Sequence, residues 1–139
     1  MPDGFVAGVD HSPEMVRVAS ERCAAPLAAN RVELSCCDSR ALPYPDGRFD
    51  KVLAVHTLYF WPNALDQLRE VARVLRPGGL LVLGFRPKDD PACRDFPETV
   101  YTFYGRDEGR GLLEKAGFTD VDFPSEALSF VLARGRRGP

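Results

Sequence analysis

The chain has 139 residues, of which 45% are hydrophobic and 27% are charged, and its formal net charge is -2. These values predict one ordinary globular domain. The slightly negative net charge predicts no basic surface for nucleic acid. No apolar run approaches the roughly 18 residues that a membrane-spanning helix needs. We therefore expect neither a nucleic-acid nor a membrane partner. We expect no signal peptide before Gly8, because Asp3 and Gly4 interrupt what would be its charged and apolar regions. We therefore expect a cytoplasmic protein.

The cysteines and histidines favour no metal site. Cys23, Cys36, Cys37 and Cys93 show no CxxC spacing, and neither histidine has a second ligand candidate close by in the sequence. We expect reduced thiols and no bound metal.

The first predicted elements are a strand, a helix and a second strand. Residues 5–9 form an apolar strand that Asp10 closes. Ser12 takes the position of a helix N-cap, with Pro13 at the first helical position. Residues 32–36 then alternate as a short strand. One helix face carries four apolar side chains: Met15, Val16, Ala19 and Cys23.

A proline-rich loop and an apolar strand follow. Residues 42–47, Leu-Pro-Tyr-Pro-Asp-Gly, cannot continue a strand ladder, because two prolines lack N–H donors and Asp-Gly favours a turn. Residues 51–55 are apolar on both faces, which predicts a strand in the middle of a parallel sheet, covered on both sides. Open α/β sheets bind ligands at the carboxyl ends of such strands. Polar and aromatic residues follow there: His56, Thr57, Tyr59 and Trp61.

The second half of the chain predicts two more helices with strands after each. Asn63 takes the position of an N-cap, and this helix ends at residues 76–79, where proline and glycine favour an exit. Residues 80–85 predict another buried strand. Residues 87–104 are irregular, and their aromatic side chains either cover a site as a lid or pack against the core, with packing slightly favoured. Residues 107–116 predict a short helix, weakened by internal glycines.

Two strands, near residues 119–123 and 127–133, complete a predicted domain that covers residues 1–134. Residues 135–139 form a basic tail, and we expect the chain to be frayed from Arg134 onwards. Strands that alternate with helices at this spacing predict an α/β fold with a parallel sheet.

Two acidic residues end successive predicted strands. Asp10 can accept hydrogen bonds from both hydroxyls of a ribose, and Asp38 can accept from an exocyclic amine such as that of adenine. Either residue alone is more simply a turn cap, since aspartate often plays that part. The pair favours a nucleoside pocket.

Four segments in this order resemble class I S-adenosylmethionine-dependent methyltransferases, of the type 11-like kind. They are residues 8–15, 37–52, 68–79 and 112–118, and together they extend over nearly the whole chain. The resemblance implies a Rossmann-like, mostly parallel sheet flanked by helices, with an antiparallel strand at the carboxyl terminus.

The resemblance also implies where S-adenosylmethionine binds. The residue matching Asp10 holds the ribose, and those matching His11 and Met15 lie against adenine. Those matching Asp38 and Ser39 contact the amine edge of adenine.

His56 falls just beyond the fourth strand of the family, beside the methionine part of the cofactor and the methyl acceptor. The implied function is transfer of a methyl group to a small-molecule acceptor, with His56 and Tyr59 as candidates for a base. A lone histidine at a strand end is more often only a hydrogen-bonding group. The alternative is a catalytically inactive module that binds a partner through an exposed sheet edge and the aromatic loop. A nicotinamide oxidoreductase is a distant third.

The departure from the family lies at the start of the chain. A nucleotide-binding glycine loop is expected about 20 residues before the ribose acid, but only nine residues precede Asp10. The first strand, the loop and the first helix of the family are therefore missing. Met1 is an internal start, the chain was cut, or the protein has abandoned the loop. We predict that the exposed inner edges, at residues 5–9 and 51–55, close on each other, or that a second chain fills the gap, as in a homodimer.

Overall fold

The computed structural model describes residues 4–127 and 129–139. The chain divides into two compact units, Met1–Pro43 and Tyr44–Pro139, and each is described by itself. No helix within the described ranges has the length and apolar character needed to cross a bilayer.

The first unit is a parallel strand pair with two helices between its strands. Ser12 caps the first helix, since its side chain accepts a hydrogen bond from the Met15 N–H, and Pro13 begins the helix, as predicted. Pro26 lies in the first turn of the second helix, where helical N–H groups have no intrahelical acceptor. The elements are β1 (Val6–Asp10), α1 (Pro13–Arg22), α2 (Ala24–Ala28) and β2 (Val32–Cys36).

The second unit is a mixed four-stranded sheet with two longer helices. Its strands lie in the order β3-β4-β6-β5, with β3 parallel to β4 and the remaining neighbours antiparallel. The predicted α/β fold, with antiparallel pairing at the carboxyl terminus, is confirmed. The elements are β3 (Phe49–Val55), a 3-10 turn (Leu58–Phe60), α3 (Ala64–Val74), β4 (Leu75–Phe85), a second 3-10 turn (Pro91–Asp95), α4 (Arg106–Lys115), β5 (Phe118–Glu126) and β6 (Val131–Arg137).

The core of the second unit is formed by apolar faces of its helices and sheet. The Asn63 side chain caps α3 by accepting from the Asp66 N–H at 3.2 Å, as predicted. Gly117, with φ of +98°, follows α4. Fully buried side chains come from α3, β4 and α4: Leu68, Val74, Leu75, Leu81, Leu83, Phe85 and Leu113.

The position of β3 differs from the prediction. It is the terminal strand of its sheet, not a central one, and Leu53 is 71% exposed and Val55 41% exposed. Val52 and Ala54, on the alternate positions, pack against the core. The prediction failed because an apolar run does not reveal whether both faces of a strand are covered.

The two predicted inner edges do not pair with each other. Among the described residues, β1 forms a ladder only with β2, and β3 forms one only with β4. Direct closure of the two edges is therefore wrong. The other alternative, a second chain beside these strands, stays a prediction.

The basic residues near the carboxyl terminus are more ordered than expected. Residues 134–137 belong to β6, so the prediction of fraying from Arg134 is wrong. Arg134 forms an ion pair with Asp122 of β5, and the Arg137 guanidinium donates to the Leu75 carbonyl oxygen. These contacts hold the strand against its neighbours.

The irregular segment at residues 87–104 is attached to the core by its aromatic side chains. Tyr101, Phe103 and Tyr104 pack against the buried cluster, and the rings of Tyr101 and Phe103 are stacked with planes 7° apart. The Thr102 N–H donates to the Tyr59 carbonyl oxygen at 2.9 Å. These contacts support the interpretation that the aromatics pack against the core.

Two glycines of α4, Gly109 and Gly111, allow a matched test of how this helix packs against the core. We expect Gly111→Ala to raise the free energy of unfolding by about 0.5–1 kcal/mol, because alanine favours the helix, and an added Cβ meets no atom within 4 Å. In Gly109→Ala the Cβ would lie 3.1 Å from Cζ of the buried Phe85. We expect that variant to be about 1–3 kcal/mol less stable than Gly111→Ala in urea unfolding. Equal stabilisation by both substitutions would contradict this packing.

Candidate functional site

The first candidate site lies at the carboxyl edge of the parallel pair in the first unit. Asp10 is the last residue of β1 and is in register with Cys36, the last residue of β2. The Cys37 N–H extends the ladder by donating to the Asp10 carbonyl oxygen at 3.0 Å. Asp38 follows directly. The two predicted acids therefore lie at the same edge of one sheet.

The Asp10 carboxylate both caps a turn and stays accessible. Its Oδ1 atom accepts from the Ser12 N–H at 2.9 Å and lies 3.6 Å from Nδ1 of His11. The Asp10 side chain is 42% exposed. One carboxylate therefore closes the turn before α1 and still presents surface to a ligand.

The Asp38 carboxylate is held by Arg40, a residue that sequence reasoning missed. The Arg40 Nη2 atom lies 2.6 Å from Oδ2, and the Arg40 backbone N–H donates to Oδ1 at 2.8 Å. The guanidinium hydrogen bonds, with the backbone bond after them, lower the pKa of Asp38 to about 2. The sequence signal was an arginine two residues after the acid, where a turn brings the side chain back.

The other residues expected near adenine lie on the same unit. The Met15 residue is 52% exposed on α1, and the His11 side chain is 85% exposed. Ser39 is half-buried between Asp38 and Arg40. The Cys36 thiol donates to the His11 carbonyl oxygen at 3.5 Å, which fastens the turn after β1 to the end of β2. The roles of His11, Met15 and Ser39 toward adenine stay predictions.

The second candidate site, in the second unit, brings His56 and Tyr59 together. Nδ1 of His56 lies 2.7 Å from the Tyr59 hydroxyl oxygen, which also accepts from the Arg86 N–H at 2.5 Å. His56 follows β3 with φ of 55°, a left-handed conformation that is uncommon for residues other than glycine. The backbone N–H of His56 donates to the Gly84 carbonyl oxygen at 2.9 Å, and this hydrogen bond holds the left-handed conformation.

The hydrogen bonds of Tyr59 favour one proton arrangement. The Arg86 N–H can only donate, so the Tyr59 oxygen accepts from it. Burial raises the pKa of Tyr59, so the hydroxyl keeps its proton and donates it to Nδ1 of His56. The neutral imidazole then carries its own hydrogen on Nε2. The reverse arrangement leaves a buried hydroxyl proton without an acceptor among the described residues, at a cost of about 1–3 kcal/mol.

An open cavity of about 620 Å³ also lies in the second unit, at the start of α4. It is lined by Pro87, Asp89, Gly105, Arg106, Asp107, Glu108, Ala127 and Val131. None of the predicted site residues lines this cavity. No contact of its acidic residues points to a bound ligand.

Comparison with known proteins identifies the family. Residues 3–83 match the family described as a methyltransferase domain. The chain is 40% identical over 124 residues to 27-O-demethylrifamycin SV methyltransferase of Amycolatopsis mediterranei (strain S699), a match that covers 83% of this chain and 46% of that protein. It is 30% identical over 148 residues to demethylmenaquinone methyltransferase of Geobacillus kaustophilus (strain HTA426), which covers 87% of this chain and 63% of that protein.

The fold is also that of a solved methyltransferase. The crystal structure of the S-adenosylmethionine-dependent methyltransferase SibL in its apo form resembles this chain with a TM-score of 0.77 at 23% identity. That similarity covers 98% of this chain and 51% of SibL. The chain spans about half the length of the first curated relative and less than two thirds of the second. Because the family match extends over more than half of its residues, the chain belongs to the methyltransferase domain family.

Proposed function

We propose that this chain is the cofactor-binding part of an S-adenosylmethionine-dependent methyltransferase that acts on a small-molecule acceptor. The observation that supports this most is the placement of Asp10 and Asp38 at one carboxyl edge of a parallel pair. An accessible carboxylate there can accept from ribose hydroxyls, and an ionised second one can accept from the amine of adenine. The names of the two relatives specify small-molecule acceptors, a demethylrifamycin and a demethylmenaquinone.

The donor set of the first unit fits a nucleoside. Asp10 keeps exposed surface after closing its turn, and the exposed Met15 and His11 side chains supply apolar and planar groups for a base. The Asp38 carboxyl is ionised at neutral pH, and the Arg40 hydrogen bonds lower its pKa further, to about 2. These four residues would hold S-adenosylmethionine by its adenosine part.

S-adenosylmethionine supplies, when bound, a methyl group on a positively charged sulfur, and its displacement needs chiefly positioning and sometimes a base. In the favoured proton arrangement, Nε2 of His56 donates a hydrogen bond to an oxygen of the methyl-accepting molecule and orients that molecule. To act as a base there, His56 must carry its hydrogen on Nδ1, and the Tyr59 hydroxyl proton must turn away. Tyr59 therefore acts as a positioning residue that selects between these two roles.

The cofactor site is tested by calorimetric titration with S-adenosylhomocysteine. We expect saturable binding by the native chain and binding about tenfold or more weaker in Asp10→Asn, because a charged acceptor of ribose hydroxyls is lost. Asparagine keeps an oxygen for the Ser12 N–H, so the turn survives.

Glu33→Gln, which makes the same chemical change at an exposed position of β2, is the matched control and should bind like the native chain. Equal binding by the Asp10 variant would remove the ribose role. A folded native chain that does not bind would refute cofactor binding by this chain.

The His56 proton arrangement is tested by long-range ¹H–¹⁵N NMR at about pH 8.5, above the usual range of imidazole titration. We expect the native chain to show hydrogen on Nε2 of His56, and Tyr59→Phe to show a mixture of both tautomers. The exposed ring of His11, the other of the two histidines, serves as the internal reference. A native chain with hydrogen on Nδ1 of His56 would instead favour the base role.

A second candidate function is a catalytically inactive interaction module. Its supporting observation is the terminal strand β3, whose outward face exposes Leu53 and Val55. A strand edge without a ladder partner is a template for pairing with another chain. The partner proposed here is a second copy of this chain.

This association is tested by sedimentation equilibrium with and without S-adenosylhomocysteine. We expect concentration-dependent self-association that Leu53→Lys weakens, because a charge replaces an apolar contact on β3. Val100→Lys alters another exposed apolar residue, in the segment 87–104, and should leave association unchanged. Association that persists in a chain unable to bind S-adenosylhomocysteine would favour the module. A native chain that stays monomeric would exclude pairing through β3.

A further inference from the structure

We propose that Arg40 sets the affinity of the first unit for adenosine by holding the carboxylate that the adenine amine would use. The inference rests on the proposed function and names a determinant of affinity within the same site. It concerns the contacts of one acid, Asp38, and one arginine.

Three N–H groups of Arg40 bond to the carboxylate of Asp38. Oδ1 accepts from the Arg40 backbone N–H at 2.8 Å and from Nε at 3.1 Å. Oδ2 accepts from Nε at 3.0 Å and from Nη2 at 2.6 Å. The single hydrogen on Nε is shared between the two oxygens, so three N–H groups of Arg40 engage most of the roughly four lone-pair sites of the carboxylate.

An adenine amine is itself a hydrogen-bond donor, so it competes with the guanidinium for the same oxygens. It gains the oxygens that the guanidinium holds only after the Arg40 side chain moves away. The guanidinium also carries positive charge, which disfavours a second donor beside it. The backbone N–H of Arg40 does not need to move, because its bond leaves room on Oδ1 once Nε has left.

The competition is expected to be modest because the pair is exposed. The Arg40 side chain is 59% exposed and that of Asp38 is 50% exposed. Exposed ion pairs are weak, since water screens the charges and the long side chain loses freedom. Removing the competitor should therefore tighten binding by about twofold to fivefold, which corresponds to the usual strength of such pairs.

The experiment compares the native chain with Arg40→Met by calorimetric titration with S-adenosylhomocysteine. Methionine keeps an unbranched stem and the backbone N–H to Asp38 but has no guanidinium. Arg22→Met makes the same change in the last turn of α1 and controls for lost positive charge. We expect binding about twofold to fivefold tighter in Arg40→Met, and unchanged binding in Arg22→Met.

An NMR titration of the Asp38 carboxyl verifies that the contact has been removed. Its pKa should rise in Arg40→Met from about 2 toward the ordinary value of 3.8, because the guanidinium hydrogen bonds are lost. This readout needs no cofactor, so it is independent of the proposed function.

The outcomes separate the two proposals. Binding by Arg40→Met that is tighter than the measured binding of the native chain supports both. Native binding that stays equal or weakens in Arg40→Met overturns the role of Arg40 and leaves the cofactor function standing. Failure of both folded chains to bind refutes the cofactor function and, with it, this inference.

Discussion

The candidate cofactor site depends on the parallel pairing of β1 with β2. Because side chains alternate along a strand, a slip of one residue would turn Asp10 to the opposite face. The strands pack closely at Gly8, which is in register with Leu34, and an added Cβ there would lie 2.8 Å from Cδ2 of that leucine. Glycine therefore permits the approach that brings the two strand ends, and the acids after them, to one edge.

The second unit depends in a similar way on Tyr59. Its hydroxyl joins the end of β4 to His56, and its carbonyl oxygen accepts from the Thr102 N–H of the aromatic segment. One nearly buried residue thus fastens three parts of the chain and also decides which nitrogen of His56 carries hydrogen.

Local signals predicted the elements well, whereas features set by distant neighbours were missed. The caps at Ser12 and Asn63 depend on a few adjacent residues, so the sequence suffices to find them. The exposure of Leu53 depends on what lies beside β3, which an apolar run does not encode. The sequence also indicated Asp10 and Asp38 as site candidates, but the contact of Arg40 with Asp38 was missed, because the arginine two residues after the acid is a weak signal until the turn is known.

A low pKa does not by itself make a carboxylate available to a ligand. The hydrogen bonds that lower the pKa of Asp38 are the same bonds that engage its oxygens, so a lower pKa here goes with fewer open acceptor sites. Asp10 differs, since a single backbone N–H bonds its carboxylate and much of the side chain stays exposed. The proposed ribose contact would therefore displace no side chain, whereas the proposed adenine contact would require the guanidinium of Arg40 to move away.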